Sequence, residues 1–165
     1  MKKKNQKRNE ALKLKSTIET LSFQTNWGLK KLGGDDGEKY GEMAKVEVDY
    51  ITELGLVQDI LSIKELVDGI RKEFQVEPCV ELGDFCNSLV TIALGIGRLS
   101  SIKAMGVPND WNELIRKKLL KIYYPDDVRN KIFEWAKASG YNTSTYLGQP
   151  IVKFGKLFVL LERDV

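Results

Sequence analysis

The sequence contains no histidine and only two cysteines, Cys79 and Cys86, among its 165 residues. Two cysteines cannot build a disulfide framework, and without histidine a zinc or haem site is not expected. A long apolar run is also missing: the longest uncharged apolar stretch, residues 85–97, is shorter than the roughly 20 apolar residues that cross a bilayer. We therefore expect a cytoplasmic protein with no membrane partner.

Positive charge is concentrated at the N-terminus. Seven of the 26 basic residues lie within the first 15 positions, where Glu10 is the one acid, and the remaining residues sum to −3. This distribution predicts a basic arm, residues 1–8, attached to a single domain that spans residues 1–165. Such an arm can contact nucleic acid or anionic lipid, or simply remain solvated.

Apolar residues recur at steps of three and four over most of the chain, and this period predicts helices. The predicted helices cover about residues 9–32, 43–74 with a break at Gly55, 82–99, 111–119 and 126–139. Trp27, Trp111 and Trp135 are expected to be core or interface anchors. Amphipathic helices of this length would cover one another poorly in a monomer, so a homodimer is expected.

The period changes near the C-terminus. Two apolar runs, residues 151–154 and 157–161, flank Gly155-Lys156, and a glycine in the first turn position predicts a type II′ β-hairpin. The predicted fold class is therefore mainly α: a helical bundle of about five helices with a short C-terminal β-hairpin.

Two pairs of acidic residues form the most informative pattern in the sequence. Glu65 and Asp68 are separated by three positions, and Glu81 and Asp84 repeat this spacing. On a helix each pair projects from one side, and two antiparallel helices joined around Pro78 would bring the four carboxylates together. Neighbouring anions raise each other's pKa, and Mg²⁺, which prefers carboxylate oxygens, resolves that conflict.

The residues 80–97, VELGDFCNSLVTIALGIG, resemble the third helix of the MazG-like, all-α nucleoside triphosphate pyrophosphohydrolases. The residues 113–121, followed by Tyr124-Pro125, are similar to the fourth helix of that family. The resemblance covers about residues 60–130. Asp68 replaces the second glutamate of the first acidic motif, and Ile122 replaces the usual asparagine after the fourth-helix lysine.

This resemblance implies a Mg²⁺-dependent nucleotide-binding protein that hydrolyses a nucleoside triphosphate to a monophosphate and pyrophosphate. The implied metal ligands are Glu65, Asp68, Glu81 and Asp84, and the last two would also be the catalytic residues. The metal would activate the attacking water, and Lys121 would neutralise the charge of the substrate phosphates.

A second resemblance leads to an alternative function. Residues 121–147 are similar to ribbon-helix-helix DNA-binding modules, in which a strand enters a helix at Pro125 and a glycine, here Gly140, precedes a second helix. It implies a dimer in which Lys121 and Tyr123 face the major groove while the basic arm contacts phosphates. A proline at position 150 would interrupt the second helix. A non-catalytic helical interaction protein is the third alternative.

Overall fold

The computed structural model of the chain describes residues 2–33, 36–78, 88–96 and 116–164. In these ranges the prediction of a mainly helical protein is confirmed. The elements in chain order are α1 (Lys2–Gly33), α2 (Asp36–Glu53), α3 (Val57–Phe74), α4 (Leu89–Ala93), β1 (Leu119–Pro125), α5 (Asp126–Ala138), β2 (Asn142–Tyr146), β3 (Gln149–Lys153) and β4 (Phe158–Asp164).

The break predicted at Gly55 separates α2 from α3. Gly55 has a φ of 71°, a left-handed conformation that glycine adopts without the steric cost of a Cβ atom. The backbone N–H of Leu56 donates to the carbonyl of Ile51 and so ends α2, and α3 begins at the next residue. The apolar pattern on either side of Gly55 therefore belongs to two helices.

The four strands form one mixed sheet in the order β1-β4-β3-β2. β3 pairs with both β2 and β4 in antiparallel fashion, whereas β1 pairs with β4 in parallel. The prediction of a helical bundle with only a C-terminal hairpin is therefore wrong. The hairpin exists as β3 and β4, but it is the centre of a sheet whose other strands come from residues predicted as helix or turn.

The turns of the sheet also differ from the prediction. The two-residue turn between β2 and β3 is Leu147-Gly148, with φ of 49° and 78°, which is the pattern of a type I′ turn. Gly155, expected to start a type II′ turn, does not adopt a left-handed φ. Its turn is held instead by Asp59, whose carboxylate accepts hydrogen bonds from the backbone N–H groups of Gly155, Lys156 and Leu157.

The core lies between one face of the sheet and the helices α3 and α5. Along β1 the residues Leu120, Ile122 and Tyr124 are buried, whereas the intervening Lys121 is exposed. Because strand residues alternate between faces, the register places these three on the same face as Val159 and Leu161. We call this the core face; its residues join those of α3 and α5 in one apolar cluster.

The helices α1, α2 and α4 pack together through a smaller apolar cluster of Leu29, Ala44 and Leu89. Gly28 allows the backbone of α4 to approach α1 closely, since a Cβ atom at this position would collide with the carbonyl of Ala93. None of the helices in the described part of the chain combines the length and apolar character needed to span a bilayer.

Candidate functional site

Asp68, one of the predicted metal ligands, belongs to an ion-paired cluster on α3. Its two carboxylate oxygens accept from Lys64 Nζ at 2.5 Å and from Arg71 Nη1 at 2.9 Å. Arg71 also donates through Nε to Glu77 Oε1 at 2.7 Å and through Nη2 to the carbonyl oxygen of Gly95 at 2.9 Å. Arg71 thus ties α3 to the segments that follow α3 and α4.

Tyr124 of β1 lies within the electrostatic reach of this cluster. Its side chain is completely buried, and its hydroxyl has no hydrogen-bond partner among the described residues. Burial raises the pKa of Tyr124 well above its usual value, and the positive charge of Arg71 opposes that rise. The hydroxyl therefore stays protonated at neutral pH.

Glu65 and Asp68 do not share one environment, although both are on α3. Glu65 is exposed, and its charge acts on Tyr141. The pKa of Tyr141 is raised mainly by burial and to a smaller extent by the negative charge of Glu65. The other predicted ligands, Glu81 and Asp84, are outside the described residues. Of the four predicted ligands, the structure therefore describes two, Glu65 and Asp68.

Lys121, the predicted phosphate-binding residue, lies on strand β1 and not on a fourth helix. It points to the side of the sheet opposite to the core face, whereas Tyr124, near Asp68 and Arg71, is on the core face. Lys121 and Tyr124 therefore lie on opposite faces of the sheet.

Within the described ranges, Asp68 has no carboxylate oxygen free to bind Mg²⁺. Both carboxylate oxygens of Asp68 are engaged by cationic side chains, and no group of three acidic or sulfur ligands occurs within the described ranges. Mg²⁺ requires near-octahedral oxygen coordination, usually with carboxylates that are free to bind. Nucleotide hydrolysis consequently remains a hypothesis from the sequence, and no step of it follows from this geometry.

The residues that resemble a ribbon-helix-helix module contain a strand and a helix, β1 and α5, in the expected order. The expected second helix is absent: residues 142–146 form strand β2, which continues into the β-hairpin with β3. Strand β1 pairs with β4 of the same chain and occupies an edge of the sheet. Lys121 is exposed there, and Tyr123 is half-buried.

The N-terminal half of α1 is the most strongly charged surface that the structure describes. Residues 2–16 are helical and exposed on every side, whereas the helix first becomes buried at Leu21. This exposed half carries seven cations and one acid: Lys2, Lys3, Lys4, Lys7, Arg8, Lys13, Lys15 and Glu10. Its first turn contains no acidic residue.

This arrangement of charge is unfavourable for an isolated helix. Lys3 and Lys7, and likewise Lys4 and Arg8, are cations four residues apart, a spacing at which like charges on a helix repel. Cations in the first turn also oppose the positive end of the helix dipole. A polyanion lying against residues 2–16 would relieve both effects.

Sequence reasoning missed two exposed aromatic residues on α1. Phe23 is 69% exposed and Trp27 is 55% exposed. Of the two roles expected for Trp27, core or interface anchor, the exposure excludes the core. Both lie out of phase with the buried residues Leu21 and Leu29. The sequence indicates that the two rings share one face, because they are four residues apart on a helix, but their exposure depends on how α1 packs.

Comparisons with known proteins give no independent indication of function. No protein-family model, no curated protein and no solved structure matches this chain.

Proposed function

We propose that the protein binds nucleic acid through helix α1. The observation that carries this proposal is the N-terminal half of the helix, residues 2–16, which is exposed on all sides and carries seven cations against one anion. Phosphate backbones are the polyanions that attract such basic helices, and binding is driven largely by release of condensed counterions.

The charge of the remaining chain supports this assignment. Outside the first 15 residues the chain has a net charge of −3, so a phosphate backbone is attracted to α1 and weakly repelled elsewhere. This asymmetry orients the protein on approach. The repulsion between neighbouring cations on α1 leads to a further prediction. Bound nucleic acid should increase the helicity of residues 2–16, because its phosphates screen that repulsion.

The proposal is tested by measuring, with fluorescence anisotropy at low salt, how tightly the protein binds labelled 20-nucleotide DNA and RNA. The test variant combines Lys4→Gln, Lys7→Gln and Arg8→Gln. The matched control combines Lys72→Gln, Lys131→Gln and Lys137→Gln, which removes the same charge from exposed positions on α3 and α5. Far-ultraviolet circular dichroism of each protein with and without nucleic acid reports the helicity of the arm.

We expect the arm variant to lose about tenfold or more in affinity and the control to bind nearly as the wild type does, since each lost phosphate contact weakens binding and reduces its salt dependence. Equal losses in the two variants would show that net charge alone matters and that α1 is not the site. Absence of binding by the wild type to DNA and RNA would refute the proposal.

A further inference from the structure

Helix α1 has a continuous polar and basic face directed away from the body of the protein. Its members follow helical spacing on the side opposite to the buried residues Leu21, Thr25 and Leu29. We call this the outer face of α1, and it consists of Lys2, Asn5, Asn9, Leu12, Lys13, Ser16, Glu19, Thr20, Phe23, Trp27, Lys30 and Lys31. Every one of these residues is exposed.

Phe23 and Trp27 form the aromatic part of the outer face. They are four residues apart, so their Cβ atoms are separated by about 6 Å along the helix surface. Phe23 is 69% exposed and Trp27 is 55% exposed. Lys31 Nζ lies over the Trp27 ring, 5.3 Å from its centre, so a base that stacks on this face of the ring has to displace the lysine.

Cations lie on both sides of the aromatic pair. Lys2 and Lys13 precede it, and Lys30 and Lys31 follow it, with Glu19 as the one acid of the outer face. The distance along the helix from Lys2 to Lys31 is about 44 Å at a rise of roughly 1.5 Å per residue. This is a long cationic track with two exposed aromatic rings in its second half.

We infer that the outer face of α1 binds single-stranded nucleic acid, with bases stacked on Phe23 and Trp27 and phosphates paired with the flanking lysines. This inference rests on the proposed function and specifies its substrate class. In a duplex the faces of the bases are hidden by stacking, whereas an unpaired strand exposes them to aromatic side chains. Backbone contacts alone would not require the two rings.

Other occupants fit the outer face less well. Pairing with the same face of a second copy would bring together two surfaces that each carry four lysines and one glutamate. A lipid surface requires a helix with a continuous apolar side. On the outer face, however, Leu12 and Phe23 are separated by Lys13, Ser16, Glu19 and Thr20.

The test compares a labelled 15-mer of oligothymidine with a duplex of the same length, using anisotropy with the full chain. The variants are Phe23→Ala with Trp27→Ala, and the aromatic pair Phe23→Tyr with Trp27→Phe as rescue. The matched control is Met43→Ala with Val46→Ala, two exposed apolar residues of α2. Because all four positions are exposed, circular dichroism should show unchanged folding.

We expect the wild type to prefer the single strand and the alanine pair to lose about tenfold in affinity for it, since a stacked base contributes measurably to binding. The aromatic rescue and the α2 control should retain affinity. The four lysines of the outer face by themselves correspond to a slope of about −3 in the logarithm of the affinity against the logarithm of salt concentration. Phosphate contacts from Lys4, Lys7 and Arg8, on which the proposed function rests, make the expected slope steeper than this.

Three results would overturn the inference. Equal affinity for the single strand and the duplex, unaffected by the alanine pair but weakened by the arm variant, would leave the proposed function intact and remove the single-strand assignment. Binding to phosphatidylserine vesicles without binding to oligothymidine would assign the face to lipid. A dimer in sedimentation that the alanine pair dissociates would assign it to self-association. Failure to bind any nucleic acid would instead refute the proposed function itself.

Discussion

At the scale of single residues, Asp59 joins the helical part of the chain to the sheet. It lies in the first turn of α3, is almost completely buried, and accepts three backbone hydrogen bonds from the turn between β3 and β4. Lys156, in the same turn, donates from Nζ to the carbonyl of Leu54. Two contacts therefore fix this turn against the start of α3.

Replacing Asp59 by alanine should lower the free energy of unfolding by about 3 kcal/mol, because three backbone N–H donors, of which that of Leu157 is buried, lose a charged acceptor. Urea denaturation of Asp59→Ala measures this loss, with Asp49→Ala, at an exposed position of α2, as the control. A loss below about 0.5 kcal/mol, the usual range of surface substitutions, would show that the turn is held by other contacts.

Glu47 gives the protein a predictable dependence on pH. Burial raises the pKa of this carboxyl above its ordinary value of 4.5, although hydrogen bonds from Ser88, Leu89 and Val90 lower it. The folded state therefore holds the proton more tightly than the unfolded state. The stabilisation from Glu47 is complete below pH 4.5 and is lost as the pH rises through the raised pKa of the folded protein.

Comparison of wild type with Glu47→Gln isolates this effect from that of the other carboxyl groups. We expect the free energy of unfolding of the wild type, relative to the variant, to decrease as the pH rises above 4.5 and through the raised pKa of Glu47. Chemical denaturation at several pH values measures the difference. A difference that increases with pH would mean that the hydrogen bonds outweigh burial and that the pKa is lowered.

At the scale of elements, the contact between α1 and α4 depends on Gly28. Gly28→Ala should destabilise the protein by about 3 kcal/mol, because the new Cβ atom would collide with the backbone carbonyl of Ala93, which cannot rotate away. The matched substitution Gly41→Ala in α2 meets no described atom within 4 Å. It should stabilise the helix by up to about 1 kcal/mol.

Thermal denaturation of the two glycine variants measures both effects. Opposite shifts in melting temperature are expected. If Gly28→Ala is as stable as Gly41→Ala, α1 and α4 do not approach each other as closely as the structure indicates.

The hypothesis of a Mg²⁺ site with four carboxylate ligands requires two helices to meet. It predicts that the protein with Mg²⁺ releases pyrophosphate from at least one nucleoside triphosphate and that Glu81→Gln abolishes the release. Glu73→Gln, at an exposed position of α3, should have no effect. A blank result across ribo- and deoxyribonucleotides would exclude hydrolysis.

Elements whose contacts are local were predictable from the sequence. The residues of α2 and α3 show helical periodicity, and Gly55 marks the boundary between them. By contrast, β1 follows a lysine-rich run that resembles helix, and its parallel partner β4 is distant in the sequence. Strand β2 contains mostly polar residues, so neither its period nor its composition distinguishes it from a turn.

Less of the candidate site could be predicted. The basic charge of residues 2–15 is visible in the sequence, but whether any of these cations is buried or paired depends on how the rest of the chain packs. The exposure of Phe23 and Trp27 likewise follows from which side of α1 contacts α2 and α4. The ion pairs of Asp68 could have been anticipated, since Lys64 and Arg71 lie at helical spacing from it.

At the scale of the whole molecule, the charge distribution predicts how fast the protein finds its partner. Removing residues 1–8 deletes five basic residues and changes the formal net charge from +3 to −2. The association rate with nucleic acid should fall strongly, and its dependence on ionic strength should weaken. Stopped-flow fluorescence at several salt concentrations tests this. An unchanged rate would locate the electrostatic attraction outside the arm.

The position of β4 determines the order in which the sheet can assemble. It lies between β1 and β3, and its parallel pairing with β1 joins residues about 40 positions apart, a contact that closes late because of its entropic cost. Until β4 is in place, β1 has no partner within the described sheet, and its apolar residues Leu120, Ile122 and Tyr124 remain accessible. A chain interrupted in the turn between β3 and β4, before Phe158, would keep the β2–β3 hairpin but leave β1 as an unpaired, aggregation-prone edge. Cleavage of this turn would therefore lower the solubility of the protein before it affected the helices.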